Sequence, residues 1–210
     1  MRRRRLAIVA AALLGGCTNM VMSERPLFTQ ADAKGAPVFR PGVWASPEPG
    51  CGVDLKGPLS GWPKCAHGDV MGSNGLSDPN IPLKSMVAVG DPFIVQIVIP
   101  AELAKAAKDL PGGGASVLYA AIKPTRTDDK GQVIAFEGWP VECGPPSAPP
   151  RKAEDGSDIR FVTKAPLPGV TMVEDHCLAA KAATVRAAAS ASRGWQTEVH
   201  ETRWIRDGKD

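Results

Sequence analysis

SMVAVGDPFIVQIVIP, Ser85–Pro100, carries the strongest folding signal in the 210-residue chain. Met86–Val89 and Phe93–Ile99 are rich in β-branched side chains, whose restricted χ1 suits a pleated backbone. Gly90-Asp91-Pro92 between them is turn chemistry, so the stretch reads as two strands joined by a bend. The second run is apolar on both faces apart from Gln96, the pattern of a central strand covered on both sides.

Working towards the C-terminus, Pro100 opens AELAKAAKDL, which predicts a short helix over about 101–110, stopped by Pro111 and Gly112–Gly114. SVLYAAIKP and QVIAFEGWPVEC read as strands, and TRTDDKG between them predicts a hairpin. CGPPSAPPRKAEDGSD is a proline-rich surface loop. IRFVTK, VTMVE and QTEVHETRWIR read as further strands. DHCLAAKAATVRAAASASRG predicts the principal helix, about 176–193, with Asp175 as N-cap and Gly194 as its stop. Leu178, Ala182, Val185 and Ala189 would form its narrow apolar stripe. The expected fold class is α+β: a mainly antiparallel sheet, one principal C-terminal helix, one short helix and long Pro/Gly-rich loops stapled by disulfides.

Towards the N-terminus, Cys51–Pro82 is irregular and rich in Gly, Pro, Asn and Asp. Gly42-Val43-Trp44 matches the G-x-W near the first strand of lipocalins. The alternating eight-strand pattern and the basic residue on the last strand that accompany it there are not evident. Thr18–Pro37 is polar without a sustained period and reads as a flexible tether, with the domain starting at Val38.

Before that tether stands MRRRRLAIVAAALLGGC. Arg2–Arg5 form a charged n-region and Leu6–Leu14 an apolar h-region, too short for the about 20 residues that a bilayer span needs. Leu14-Gly15-Gly16-Cys17 resembles the lipobox of bacterial lipoproteins, with Gly15 in place of the commoner Ala or Ser. The resemblance covers the targeting segment alone. It implies that residues 1–16 are a signal peptide that is removed. It also implies that the Cys17 thiol takes a diacylglycerol and that its new amino group is acylated, by palmitate or a similar chain. One acyl chain binds a membrane marginally, whereas two or more anchor stably. An Asp directly after the cysteine tends to retain such proteins at the inner membrane. Thr18 stands there, so the resemblance implies the outer membrane, facing the periplasm, with inner-membrane anchoring as the alternative. Residues 17–37 would then be the lipidated N-terminus and tether, and residues 38–210 a single periplasmic domain.

Removal of the signal changes the charge. The chain has 25 Lys and Arg against 22 Asp and Glu; without Arg2–Arg5 the balance is 21 − 22 = −1. No basic surplus points to nucleic acid. With Cys17 lipidated, Cys51, Cys65, Cys143 and Cys177 remain. An even count in an oxidising compartment reads as two disulfides, with three possible pairings. The sequence-local one, Cys51–Cys65 and Cys143–Cys177, is favoured.

GWPKC (Gly61–Cys65) and GWPVEC (Gly138–Cys143) each set a Trp-Pro pair close before a cysteine. Trp62 and Trp139 are expected to pack over their disulfides, and their alternative role is a stacking surface for a ligand. The histidines are His67, His176 and His200. No C-x-x-C, H-x₃-H or C-x-x-C-H occurs, so no metal or cofactor site is expected. G-x-S-x-G, S-x-x-K, H-E-x-x-H and a P-loop are likewise absent. Glu137, Glu142 and His200 are the residues that an unmarked hydrolytic site would draw on. The sequence favours a lipid-anchored envelope protein with a binding or structural role over an envelope hydrolase. Its partners would be the membrane through Cys17, and another envelope protein, peptidoglycan or a small apolar ligand.

Overall fold

The long apolar runs pair with one another, and everything else is laid against them. The computed structural model describes residues 19–73, 84–100, 116–149, 151–152, 158–159, 161–173, 176–196, 199 and 201–208. In chain order the strands are β1 (Val21–Ser23), β2 (Gly42–Ala45), β3 (Asp69–Met71), β4 (Lys84–Ala88), β5 (Phe93–Val98) and β6 (Val117–Thr127). They continue as β7 (Val133–Pro140), β8 (Arg151–Lys152), β9 (Asp158–Ile159), β10 (Val170–Val173), β11 (His176–Ala179) and β12 (Glu201–Arg206). The helix α1 spans Ala182–Ser192 and continues as a 3-10 turn over Arg193–Trp195.

The expected β4–β5 and β6–β7 hairpins are both present. β6 is the hub. Val117–Ile122 bond β5 along one edge. Along the other edge Ala120–Thr127 bond β7, and Val117 and Leu118 bond β1. The main sheet of ten strands runs β10-β11-β1-β6-β7-β12-β2-β3, with β5 on β6 and β4 on β5, while β8 and β9 pair separately. β1 and β11 are parallel, so the sheet is mixed.

Pleat alternation splits the core into two layers. Ile94, Val117, Tyr119, Ala121 and Trp139 face α1 through Val185, Ala188 and Ala189. Val95 and Ile122, with the partly buried Ala120, face the opposite way onto Phe39, Trp44 and Met71. Strands covered on both faces need apolar residues at successive positions, which is why β5 shows little polar alternation.

Three expectations are corrected. The fold is predominantly sheet, not α+β. The expected helix over 176–193 begins only at Ala182, because His176–Ala179 form β11 between β1 and β10. Two strand partners and the Cys143–Cys177 bond hold that segment extended. Ala-rich propensity prevails only beyond Lys181. The expected helix over 101–110 and the Asp175 cap lie outside the described residues.

The third correction concerns the tether, residues 17–37: from Asn19 onward they belong to the fold. β1 is wholly buried, and Phe28 lies in the core. The Gln96 side-chain carbonyl accepts the N–H groups of Leu27 and Phe28, both at 2.9 Å, and its amide donates to the Phe28 carbonyl. The one polar interruption of the central strand is thus the clamp for this segment. Residues 29–35 make turns, and Val89 N–H donates to the Asp32 carbonyl at 2.8 Å.

The G-x-W motif lies on β2, beside the final strand β12, which brings the basic Arg206 into register with Val43. With β12 between β7 and β2, and β1 and β11 beyond β6, the order is not an up-and-down meander of eight strands. Gly42 has φ +140°, and a Cβ there would stand 2.3 Å from the Arg206 carbonyl oxygen. Gly42→Ala is therefore expected to destabilise the protein by about 1–3 kcal/mol, read as a lowered urea midpoint with an unchanged denaturant slope.

Candidate functional site

Cys17 lies outside the described residues, but the structure begins two positions after it. Asn19 is 3% exposed. Its side-chain amide donates to the Gly144 carbonyl at 3.1 Å, and its side-chain oxygen accepts the Thr163 N–H at 2.9 Å. Its own carbonyl accepts the Cys143 N–H at 2.9 Å. Leu167 N–H donates to the Cys143 carbonyl, and Ala165 N–H to the Thr163 hydroxyl. A Cβ on Gly144 would stand 2.5 Å from both the Ala165 carbonyl oxygen and the Thr163 hydroxyl oxygen, so the two loops press together. Asn19 thereby gathers segments 143–146 and 163–167 into a collar around the start of β1. The short stretch Thr-Asn-Met gave no sign of this role, because each partner lies more than 120 residues away.

Both expected disulfides are present, Cys51–Cys65 and Cys143–Cys177. The second flanks β1: Cys177 is the register partner of Val21, and Cys143 bonds Asn19. The two Cα atoms are 5.9 Å apart, well under the about 9.6 Å between next-nearest strands of a flat sheet. The sheet therefore folds sharply over β1 here. Both sulfurs are in the core.

Trp139, 4% exposed, is packed in that same core and donates its indole N–H to the Ala189 carbonyl at 2.9 Å. It presents no face for stacking. Trp62 lies half-buried within its own loop, its N–H on the Gly57 carbonyl at 3.1 Å and its ring pressed on Gly68. The structure does not join the two tryptophans into one surface. Arg206 also donates to the Gly57 carbonyl, tying β12 to the Cys51–Cys65 loop.

The candidate hydrolytic residues are dispersed. Glu137 stands opposite Glu201 on β12, and each carboxylate is relieved by its own arginine: Arg193 for Glu137 at 3.1 Å, Arg126 for Glu201 at 3.2 Å. Glu142, five residues further along the chain and past the end of β7, is 1% exposed. Its N–H donates to the Ser192 hydroxyl at the end of α1. His200 lies outside the described residues. His67, at a left-handed φ of 43°, meets Glu48 at 2.9 Å, but both side chains are more than half exposed. His176 is buried on β11 beside Met20, whose other neighbour is Glu142. This row, which the sequence analysis missed, holds no third metal-ligating group, and no cluster of three or more such residues occurs among the described residues.

Among the described residues, two groups titrate away from their ordinary values. Burial pushes the Tyr119 hydroxyl up, partly offset by the Ser23 hydroxyl at 2.6 Å. The Thr29 backbone N–H and hydroxyl, both donating to Asp32, hold that carboxyl below the usual range, with Arg186 adding to the effect. The Ser23–Tyr119 bond fastens β1 to β6, and Asp32 faces Arg186 of α1 at 3.9 Å.

Against known proteins, the chain matches no family model, no curated protein and no solved structure. What fold and cysteines define is a disulfide-stapled, predominantly β domain closed around its own N-terminal strand. No helix among the described residues is long and apolar enough to cross a membrane.

The two disulfides differ in access, since Cys51 and Cys65 are only half-buried. Mild reduction of the native protein, followed by alkylation and peptide mapping, is expected to label Cys51 and Cys65 while Cys143 and Cys177 stay paired. Replacing Cys143 and Cys177 together by Ala should cost about 2–5 kcal/mol.

Proposed function

We propose that the protein is a lipid-anchored lipoprotein of the bacterial envelope, held at the outer membrane, facing the periplasm, with a binding or structural role there. The observation that carries this reading is the cysteine pairing. Of five cysteines, four are taken up by two disulfides, and the remaining one is Cys17, in the lipobox-like Leu14–Cys17 behind a charged and then apolar segment. Disulfides of this kind belong to oxidising compartments. The domain's covalent staples and proline-rich loops suit a protein exposed outside the cytoplasm. Its partner would be another envelope protein, peptidoglycan or a small apolar ligand. Thr18 after the cysteine supports outer-membrane rather than inner-membrane sorting.

The intact mass of the protein extracted from membranes without reductant tests this. The expected species starts at Cys17, carries two or three acyl chains, and is lighter than the reduced chain by two hydrogens for each disulfide. Cys17→Ser should abolish acylation and release the protein from the membrane fraction. An unacylated wild-type chain overturns the reading. Membrane separation on a density gradient then distinguishes outer from inner anchoring.

A further inference from the structure

Because the fold takes hold of the chain at Asn19, two residues after the proposed anchor, we infer that the domain docks directly on the phospholipid surface, through the collar formed by segments 143–146 and 163–167. This rests on Cys17 being acylated. One residue, Thr18, separates Cys17 from Asn19. Two extended residue steps reach at most about 7 Å. The headgroup layer of one leaflet is itself about 5–8 Å thick. A lipid-bearing Cys17 therefore holds the Asn19 backbone at headgroup level. Asn19 cannot be drawn out as slack, since its side chain is bonded to Gly144 and Thr163 and its carbonyl to Cys143. What surrounds Asn19 must meet the lipid.

The collar is suited to that contact. Its exposed residues include Pro145, Lys164, Ala165 and Pro166. Lys164 is the sole charged residue in the two segments, and neither contains an acid. Prolines carry no N–H to be left unsatisfied when water is displaced. A lone lysine among small apolar groups places its ammonium against lipid phosphate while its stem covers apolar surface. β1 runs from Asn19 away from Cys17, and Glu24, exposed just past its far end, stands about 16 Å from Asn19 along the extended chain. It would lie on the side away from the membrane. The buried Glu142 and His176, with the partly buried Met20, would lie near the lipid end.

The test uses the acylated full-length protein in phosphatidylethanolamine/phosphatidylglycerol vesicles containing a nickel-chelating lipid. A nitroxide is placed at Lys164→Cys or at Pro166→Cys, with Glu24→Cys as the distal position. Relaxation enhancement should be several-fold larger at 164 and 166 than at 24. Inserting 20 Gly/Ser residues between Thr18 and Asn19, with a root-mean-square span of about 25 Å, should bring position 164 down to the level of 24 while leaving the acyl mass intact. Equal enhancement at all positions in an acylated protein overturns the docking and leaves the anchor standing. So does a signal at 164 that the insertion does not change. A chain without acyl groups overturns both.

Discussion

The structure depends on how its first strand is held. β1 is only three residues long. Yet it bonds β11 on one edge and β6 on the other, where the Val141–Cys143 segment that follows β7 also joins it. Without it β11 and β10 would have no place in the main sheet, and the layer that packs on α1 would lose Val21. The disulfide on its flanks makes this arrangement covalent. Cys143 and Cys177 sit on opposite sides of β1, and their bond fixes the fold of the sheet over it. Trp139, Tyr119 and α1 then fill the space beneath.

A second set of contacts fastens the chain that leaves β1. Gln96 is a polar residue in the middle of an apolar strand, where an unsatisfied amide would be costly. Its three hydrogen bonds to Leu27 and Phe28 turn that cost into positional information. Arg186 extends the same fastening outward. Its guanidinium lies over the Phe28 ring, donates to the Val89 carbonyl at 2.6 Å and approaches Asp32 at 3.9 Å. Helix, hairpin and N-terminal segment meet on one side chain.

How much of this was legible in the sequence follows from the range of each interaction. The β4–β5 and β6–β7 hairpins were readable because each joins strands close in sequence, through Gly-Asp-Pro or Asp-Asp-Lys-Gly turns. The disulfide pairing was readable because sequence-local loops close most easily. The helix was half readable: alanine runs mark Ala182–Ser192, but the same composition extends back over β11, whose strand state is imposed by β1. The region 19–37 was misread, because Val-Met-Ser and Leu-Phe carry no period long enough to signal a strand, and Gln96, their clamp, lies some 70 residues away. Trp62 and Trp139 looked alike in sequence and differ in place, since only Trp139 sits on a strand facing α1. Of the candidate site, the Cys143–Cys177 staple was legible and the collar was not, because Asn19 acts through partners 125 and 144 residues distant.

The placement of β1 also dictates an order of assembly. The first strand must wait for its edge partners: β6 lies near the middle of the chain, and β11 follows only after the proline-rich loop. Loop closure over such separations is slow. Until Cys177 arrives, the edge of β1 that will pair with β11 is an unpaired template for other chains. The hairpins can form early, each from neighbouring sequence, and supply the platform on which the first strand is finally seated. A chain cut short before β11 would keep most of its apolar strands but have no means of closing over its own beginning.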